Sequence, residues 1–119
     1  MRAYLLVGGG GSAGALLRWG TNELIPHGPG EFPWSTLLVN IVGCLVIGFA
    51  ARSFSHRPEL WLVSITGLLG GFTTFSTFAV ETNSLIDAGR SGAALTYVGV
   101  SVVAGLAATE IARGDWSGR

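Results

Sequence analysis

The sequence predicts an all-α membrane protein of four transmembrane helices, and three observations carry that expectation. Only 12% of its 119 residues are charged, while 49% are apolar and 19 are glycine; soluble domains usually carry about 25% charge. Uncharged stretches recur along the chain at Ala3–Leu17, Phe32–Ala51, Leu60–Val80 and Ser91–Thr109, with lengths of 15, 20, 21 and 19 residues. A helix needs about 20 residues to cross ~30 Å of hydrocarbon. Finally, Trp19, Trp34, Trp61 and Trp116 all fall near the ends of these stretches, as in the aromatic belts of spanning helices.

The first span reaches full length if it continues past Arg18 to about Asn22, giving residues 3–22. A secretory leader reads poorly here. Gly8-Gly9-Gly10-Gly11 is a weak apolar region, and no small-residue cleavage pattern follows. Pro26, Pro29 and Gly30 then interrupt the chain, and Pro33 stands where a helix takes its first residue. That predicts a second span over 33–53. Ser55-His56-Arg57-Pro58 repeats the pattern before a third span over 59–84. Asp87-Ala88-Gly89-Arg90-Ser91-Gly92 forms a turn, and the fourth span runs over 91–111. Residues 1–119 thus form a single four-helix transmembrane domain.

Several function classes are excluded early. Seven Arg balance seven acidic residues and there is no Lys; without a basic patch or stripe, no nucleic-acid partner is expected. The single cysteine, Cys44, rules out an intrachain disulfide. His27 and His56 lie far apart in loops, where histidines are expected to be solvated. No nucleophile, base or metal constellation is assembled, so the chain is not expected to be an enzyme. Gly9-Gly10-Gly11-Ser12-Ala13-Gly14 matches a dinucleotide-binding fingerprint, with Glu31 placed as a ribose acid. That motif needs a second strand and a sheet, whereas an uncharged helical stretch follows. Small residues in a membrane let helix backbones approach closely, and Gly10 with Gly14, and Gly67 with Gly71, form GxxxG pairs.

Polar side chains inside apolar spans are costly and are functional candidates by default. Asn40 lies in the middle of the second span, with Thr36 one turn before it. A lone Asn more often glues helices than binds substrate. An isolated Thr usually bonds back to the carbonyl four residues earlier, and that is the expectation for Thr36 and Thr109. On the fourth span Tyr97, Ser101, Gly105 and Thr109 share a face. The third span carries Gly70-Gly71-Phe72-Thr73-Thr74-Phe75-Ser76-Thr77-Phe78. Glycines and β-branched residues disfavour a continuous helix, so a break near mid-membrane is predicted. Exposed backbone at that depth is tolerated only inside protein or along a cavity. Together these residues suggest a path for an ion or small solute. Carboxylates are few: Glu23 and Glu81 lie toward span ends, while Arg18 and the hydroxyl and amide donors lie within. Donors, an Arg and positive phenylalanine ring edges favour an anion.

At this point the sequence resembles the Fluc (CrcB) family of fluoride channels over nearly its whole length. The likeness rests on Gly9 to Arg18, on Thr36-Leu37-Leu38-Val39-Asn40-Ile41-Val42-Gly43, and above all on Gly70 to Phe78. The resemblance implies an antiparallel, dual-topology dimer with two fluoride pores along its interface, sited in the cell membrane. It implies that carbonyls of Gly70 and Thr73 from both subunits hold a central structural Na⁺. Asn40, Phe75 and Phe78 match the family's pore residues; Ser76, Thr77, Tyr97 and Ser101 continue the hydrogen-bonding track. Arg18 matches a first-helix arginine, and Glu81 an acid just beyond the track. Where some members carry a further hydroxyl, this chain has Gly105.

The partner is either a second copy or an oppositely oriented paralogue. With four spans, Arg2, Arg52, Arg57, Arg113 and Arg119 share one side against Arg18 and Arg90, a bias toward a cytoplasmic N-terminus. The rivals are a small four-helix multidrug-type transporter and a non-conducting partner subunit. The first wants a carboxylate deep in the first span, where Arg18 stands. The second needs the packing glycines but not the clustered hydroxyls.

Overall fold

The computed structural model describes residues 1–114; Trp116 and Arg119 lie outside the described residues. Among the described residues every regular element is helical. Helix α1 is Arg2–Leu24 and α2 is Trp34–Ser53. Helix α3 is the continuous run of Pro58–Trp61, Leu62–Leu69 and Gly70–Phe72. Thr73 then turns extended at φ −80° and ψ 158°, and helix resumes as α4, Ser76–Asp87. Helix α5 is Ser91–Arg113.

Local chemistry sets these limits. Pro33 immediately precedes α2, and Pro58 opens α3, where its missing N–H costs nothing. Gly89 at φ +75° makes the turn from α4 to α5, and Gly114 at φ +67° ends α5, the left-handed conformation that glycine adopts without strain.

Three helical runs are long and apolar enough to cross a membrane: α2, the Pro58–Asp87 run of α3 with α4, and α5. The chain is therefore a multi-pass membrane protein. Helix α1 is not among the three, because six glycines together with Arg2, Arg18 and Glu23 dilute its hydropathy. At 23 residues it is nonetheless about 34 Å long.

Packing pairs α1 with α3 and α2 with α5. The first seam is made by glycine. A Cβ at Gly10 would meet backbone atoms of Val63, Gly67 and Leu68, and one at Gly14 would meet those of Leu68 and Phe72. Gly67 and Gly71 present the same bareness to Val7, Gly10 and Gly11, so backbone lies on backbone. Across this contact α3 widens: Leu62–Leu69 is π-helical, and the Gly70 N–H reaches back five residues to the Ile65 carbonyl. The second seam uses Gly48 against Thr109 and Ala112, and Gly105 against Cys44. Thr109 Oγ1 donates to its own Gly105 carbonyl at 3.1 Å and across to the Cys44 carbonyl at 3.2 Å. Its back-bond was the sequence expectation.

The chain is thin, 48 × 39 × 20 Å, which is about two helix diameters in its short direction. Its enclosed core is correspondingly small: Leu37, Leu85, Ala94 and Tyr97, with Phe32, Ile41 and Phe78 packed against them. Large apolar side chains such as Leu95, Val103 and Leu106 of α5 face outward. A contiguous apolar surface of this kind marks lipid or another protein.

Candidate functional site

The site is built around the gap between α3 and α4. Two residues of α2, three apart on one helix face, receive it. At Gly43 a Cβ would collide with Thr73 Cγ2, so glycine makes the room that Thr73 occupies. Asn40 then grips the next residue twice. Its Nδ2 donates to the Thr74 carbonyl at 3.1 Å, and its Oδ1 accepts the Thr74 N–H at 3.0 Å. The amide thus stands in for the peptide partner that an unbroken helix would supply, satisfying backbone groups that otherwise cost several kcal/mol in an apolar setting, roughly 2–7.

The rest of the gap is closed locally. The Thr73 N–H and Oγ1–H both turn back to the Leu69 carbonyl, at 3.0 and 2.9 Å. Thr74 Oγ1 accepts the Thr77 N–H at 3.2 Å, the geometry of a helix N-cap. This has a consequence for two carbonyls. In a continuous helix the Thr74 N–H would serve Gly70 and the Thr77 N–H would serve Thr73. Both donors are diverted, to Asn40 and to Thr74 Oγ1. The carbonyl oxygens of Gly70 and Thr73 are thereby released from helical bonding.

A groove of about 410 Å³ runs past this gap, and Asn40, Gly70, Thr73, Phe75, Phe78 and Ser101 all line it. Phe75 is 80% exposed on the groove's open side, with its ring centroid 5.7 Å from that of Phe78. Ser101 Oγ is buried and has no hydrogen-bond partner among the described residues. A buried hydroxyl without a partner is uncommon in a native fold. Ser76 lies beside the gap with its Oγ 3.4 Å from Thr74 Oγ1, and Thr77 enters through its backbone N–H.

The structure places the remaining sequence-predicted residues elsewhere. Tyr97 is fully buried, with its ring 5.0 Å from Phe78. It does not line the groove, and its OH donates to Glu81 Oε2 at 3.1 Å. Glu81 is the centre of a second polar group. Thr36 Oγ1 donates to Glu81 Oε1 at 2.7 Å, and His27 Nε2 lies 3.4 Å from the same oxygen. Thr36 therefore does not bond back along its own helix. It is only the third residue of α2, and residue 32 four places earlier lies outside the helix, so no helical carbonyl is there to accept. Arg18 does not line the groove; its Nε is buried on α1 with no hydrogen-bond partner among the described residues.

Sequence reasoning missed three participants. His27 is not a solvated loop histidine: its Nδ1 lies 3.2 Å from Ser35 Oγ, and Ser35 donates to Asn22 Oδ1 at 2.7 Å. A usable signal was topological. The end of α1, the start of α2 and the end of α4 come together, as the Ser35–Asn22 and Thr36–Glu81 hydrogen bonds show. Asn22, His27, Ser35, Thr36 and Glu81 are among the polar residues concentrated there.

An all-helical, apolar-surfaced chain with three helical runs long and apolar enough to span a bilayer belongs to the class of multi-pass membrane proteins. Residues 5–113 match the family described as CrcB-like protein, Camphor Resistance (CrcB), and the chain belongs to that family. It is 47% identical over 108 residues to a protein of Pseudomonas putida (strain F1) named fluoride-specific ion channel FluC, covering 87% of each chain. Proteins of the same name from Azotobacter vinelandii and Rhizobium leguminosarum bv. trifolii are 44% and 48% identical. These matches cover 88% and 92% of this chain, and 89% and 94% of the relatives.

Proposed function

We propose that the chain is a fluoride-selective channel, not an enzyme, that lets fluoride leave the cytoplasm across the cell membrane. The observation that carries this reading is the groove itself, where Asn40 and the unpartnered Ser101 hydroxyl stand near the paired rings of Phe75 and Phe78. A small, strongly hydrated anion needs donors to replace its water, and ring edges add positive potential. Asn40 retains the second N–H of its Nδ2 for this purpose, since the first is committed to Thr74. The names of the relatives support fluoride as the ion.

In this reading α1 is a fourth span, and two subunits of opposite orientation close their grooves against each other. The 80% exposure of Phe75 in the single subunit supports an apolar wall supplied by a partner, either a second copy or a paralogue. The gap between α3 and α4 then lies near mid-membrane. Gly70 and Thr73 would hold a structural Na⁺ there. Their carbonyls fit a hard cation, which takes oxygen ligands, because their helical donors have been diverted. When bound, the ion supplies fixed positive charge beside the groove. A multidrug-type exporter is disfavoured, because Glu23, the α1 carboxylate, stands exposed one residue from the helix end.

The test is fluoride efflux from liposomes containing the purified protein, with chloride as the control anion. Rapid fluoride loss with no chloride loss is expected. Efflux of neither ion from folded protein, alone and with a candidate paralogue, contradicts the reading. The cation is tested separately by thermal unfolding in detergent. Replacing Na⁺ with N-methyl-D-glucamine is expected to lower the midpoint by several degrees, since a ligand that binds only the folded state stabilises it. An unchanged midpoint removes Na⁺ from the structure.

A further inference from the structure

A separate cavity of about 390 Å³ lies at the ends of α2 and α5, lined by Ala51, Arg52, Ser55, Arg113 and Gly114. The seam between the two helices puts it there. A Cβ at Gly48 would meet the Thr109 carbonyl, the Ala112 side chain and the Arg113 nitrogen, so this bare glycine lets the last turns lie side by side. Arg52 then reaches across from α2 to α5. A Cβ at Gly114 would stand 2.7 Å from Arg52 Nη1, so the glycine that ends α5 at φ +67° also leaves room for a guanidinium. That guanidinium lies 5.9 Å from the centre of the Phe49 ring, within cation–π reach. Arg52 has no acidic partner among the described residues. Arg113 has one, donating from Nη2 to Glu110 Oε1 at 3.0 Å. A guanidinium carries several N–H donors in a planar fork, so that bond leaves others for a ligand. Two arginines and one glutamate leave one net positive charge at the cavity.

The placement says which anion fits. Helices α2 and α5 are both long and apolar enough to span a bilayer, and Arg52 and Arg113 stand in their final turns. The cavity therefore opens where hydrocarbon gives way to headgroups. Leu45, Phe49 and Arg52 share one face of α2. Leu45 and Phe49 are 40% and 53% exposed, so an apolar strip runs up to the guanidinium. A phospholipid has the same order of parts: an acyl chain for the strip and a phosphate for the arginine forks, whose geometry matches phosphate oxygens. We propose that Arg52 and Arg113, with the Ser55 hydroxyl, form a binding site for the phosphate diester of an anionic phospholipid between the ends of α2 and α5. Basic pockets between spanning helices bind such headgroups by this chemistry. A zwitterionic lipid brings its own ammonium beside the phosphate, and the net positive charge of the site disfavours it. The site shares no residue with the groove and does not depend on which ion the groove carries.

The test is native mass spectrometry of the purified protein in detergent, offered equal amounts of phosphatidylglycerol and phosphatidylcholine with the same acyl chains. The protein is expected to retain phosphatidylglycerol in about fivefold excess, the effect of one net positive charge near a membrane surface. Arg52→Gln combined with Arg113→Gln is expected to lose that excess. Arg57→Gln is the control. Arg57 is exposed in the connection between α2 and α3 and does not line the cavity, so its loss is expected to leave the excess in place. Equal retention of the two lipids by the native protein overturns the site. So does an excess lost as fully in Arg57→Gln as in the double variant, because diffuse surface charge would then explain it. Competition separates the two sources of phosphate. The lipid is expected to stay bound in millimolar inorganic phosphate at constant ionic strength; its displacement there would assign the site to the free anion and overturn the phospholipid. A second readout is thermal unfolding, where phosphatidylglycerol is expected to raise the midpoint of the native protein and not that of the double variant. Equal rises in the two overturn the assignment to Arg52 and Arg113.

Discussion

On the channel reading, Asn40→Asp is expected to reduce fluoride flux by more than about a hundredfold in a protein that still folds. Two effects act together. The amide donates one N–H to the Thr74 carbonyl and keeps another facing the groove; an ionised carboxylate donates neither. It instead sets a negative charge in the lining of the groove, the anion's proposed route. One unit charge about 6 Å away at an effective dielectric near 20 disfavours an anion by nearly 3 kcal/mol, or about a hundredfold. Loss of the donor adds to this, because a site built to donate and left unpaired costs a further ~1–3 kcal/mol. The check is liposome efflux of fluoride, with size-exclusion chromatography to establish that the variant is folded. Normal flux from Asn40→Asp would remove Asn40 from the ion's route and leave it only its grip on Thr74.

Gly14→Ala separates α1 from α3 and is expected to destabilise the subunit by about 1–3 kcal/mol, the usual penalty for overfilling a packed contact. The added methyl group would meet the Leu68 carbonyl carbon at 2.9 Å and the Phe72 nitrogen at 2.7 Å. Both are main-chain atoms of a helix and cannot swing aside as a flexible side chain can. Phe72 is the last residue before the gap, so the displacement also reaches the groove, and fluoride flux is expected to fall with stability. Gly9→Ala is the control, because nothing lies within 4 Å of its added carbon. Thermal midpoints of the two variants in detergent decide the matter. Equal midpoints would mean that α1 does not ride on α3 as closely as the structure has it.

How much of this was legible in the chain varies from residue to residue. The all-helical membrane class follows from scarcity of charge and the spacing of uncharged stretches, which are properties of the linear sequence. The packing value of Gly10, Gly14, Gly67 and Gly71 was also readable, since small residues four apart fall on one helix face. Asn40 could be singled out as a polar residue in an apolar run, but not its partner. That Thr74 lies opposite depends on the fold bringing together residues 34 apart in sequence.

The Glu81 group shows where sequence reasoning stops. Thr36 read as an ordinary back-bonding threonine, and His27 as a solvated loop residue. Each judgement considered only near neighbours along the chain. Thr36 meets an acid 45 residues away, and the loop carrying His27 is clipped down, its Gly30 N–H donating to Ser84 Oγ at 2.9 Å and its Gly30 carbonyl accepting from Arg90 at 2.8 Å. Those contacts turn an unremarkable loop histidine into a neighbour of Glu81.

The sequence by itself determined what this protein is dissolved in and where its helices are weakest. Both follow from local quantities: hydropathy summed over a span, and the poor helix propensity of Gly-Gly-Phe-Thr-Thr-Phe-Ser-Thr-Phe. Only the tertiary structure decided which donors are spent and which are free. Asn40 is half committed to Thr74, Tyr97 wholly to Glu81, and Ser101 is left unpartnered. The physical reason is that a hydrogen bond is a short-range, directional pairing of two groups. Its existence depends on where the second group stands in space, and no count along the chain contains that.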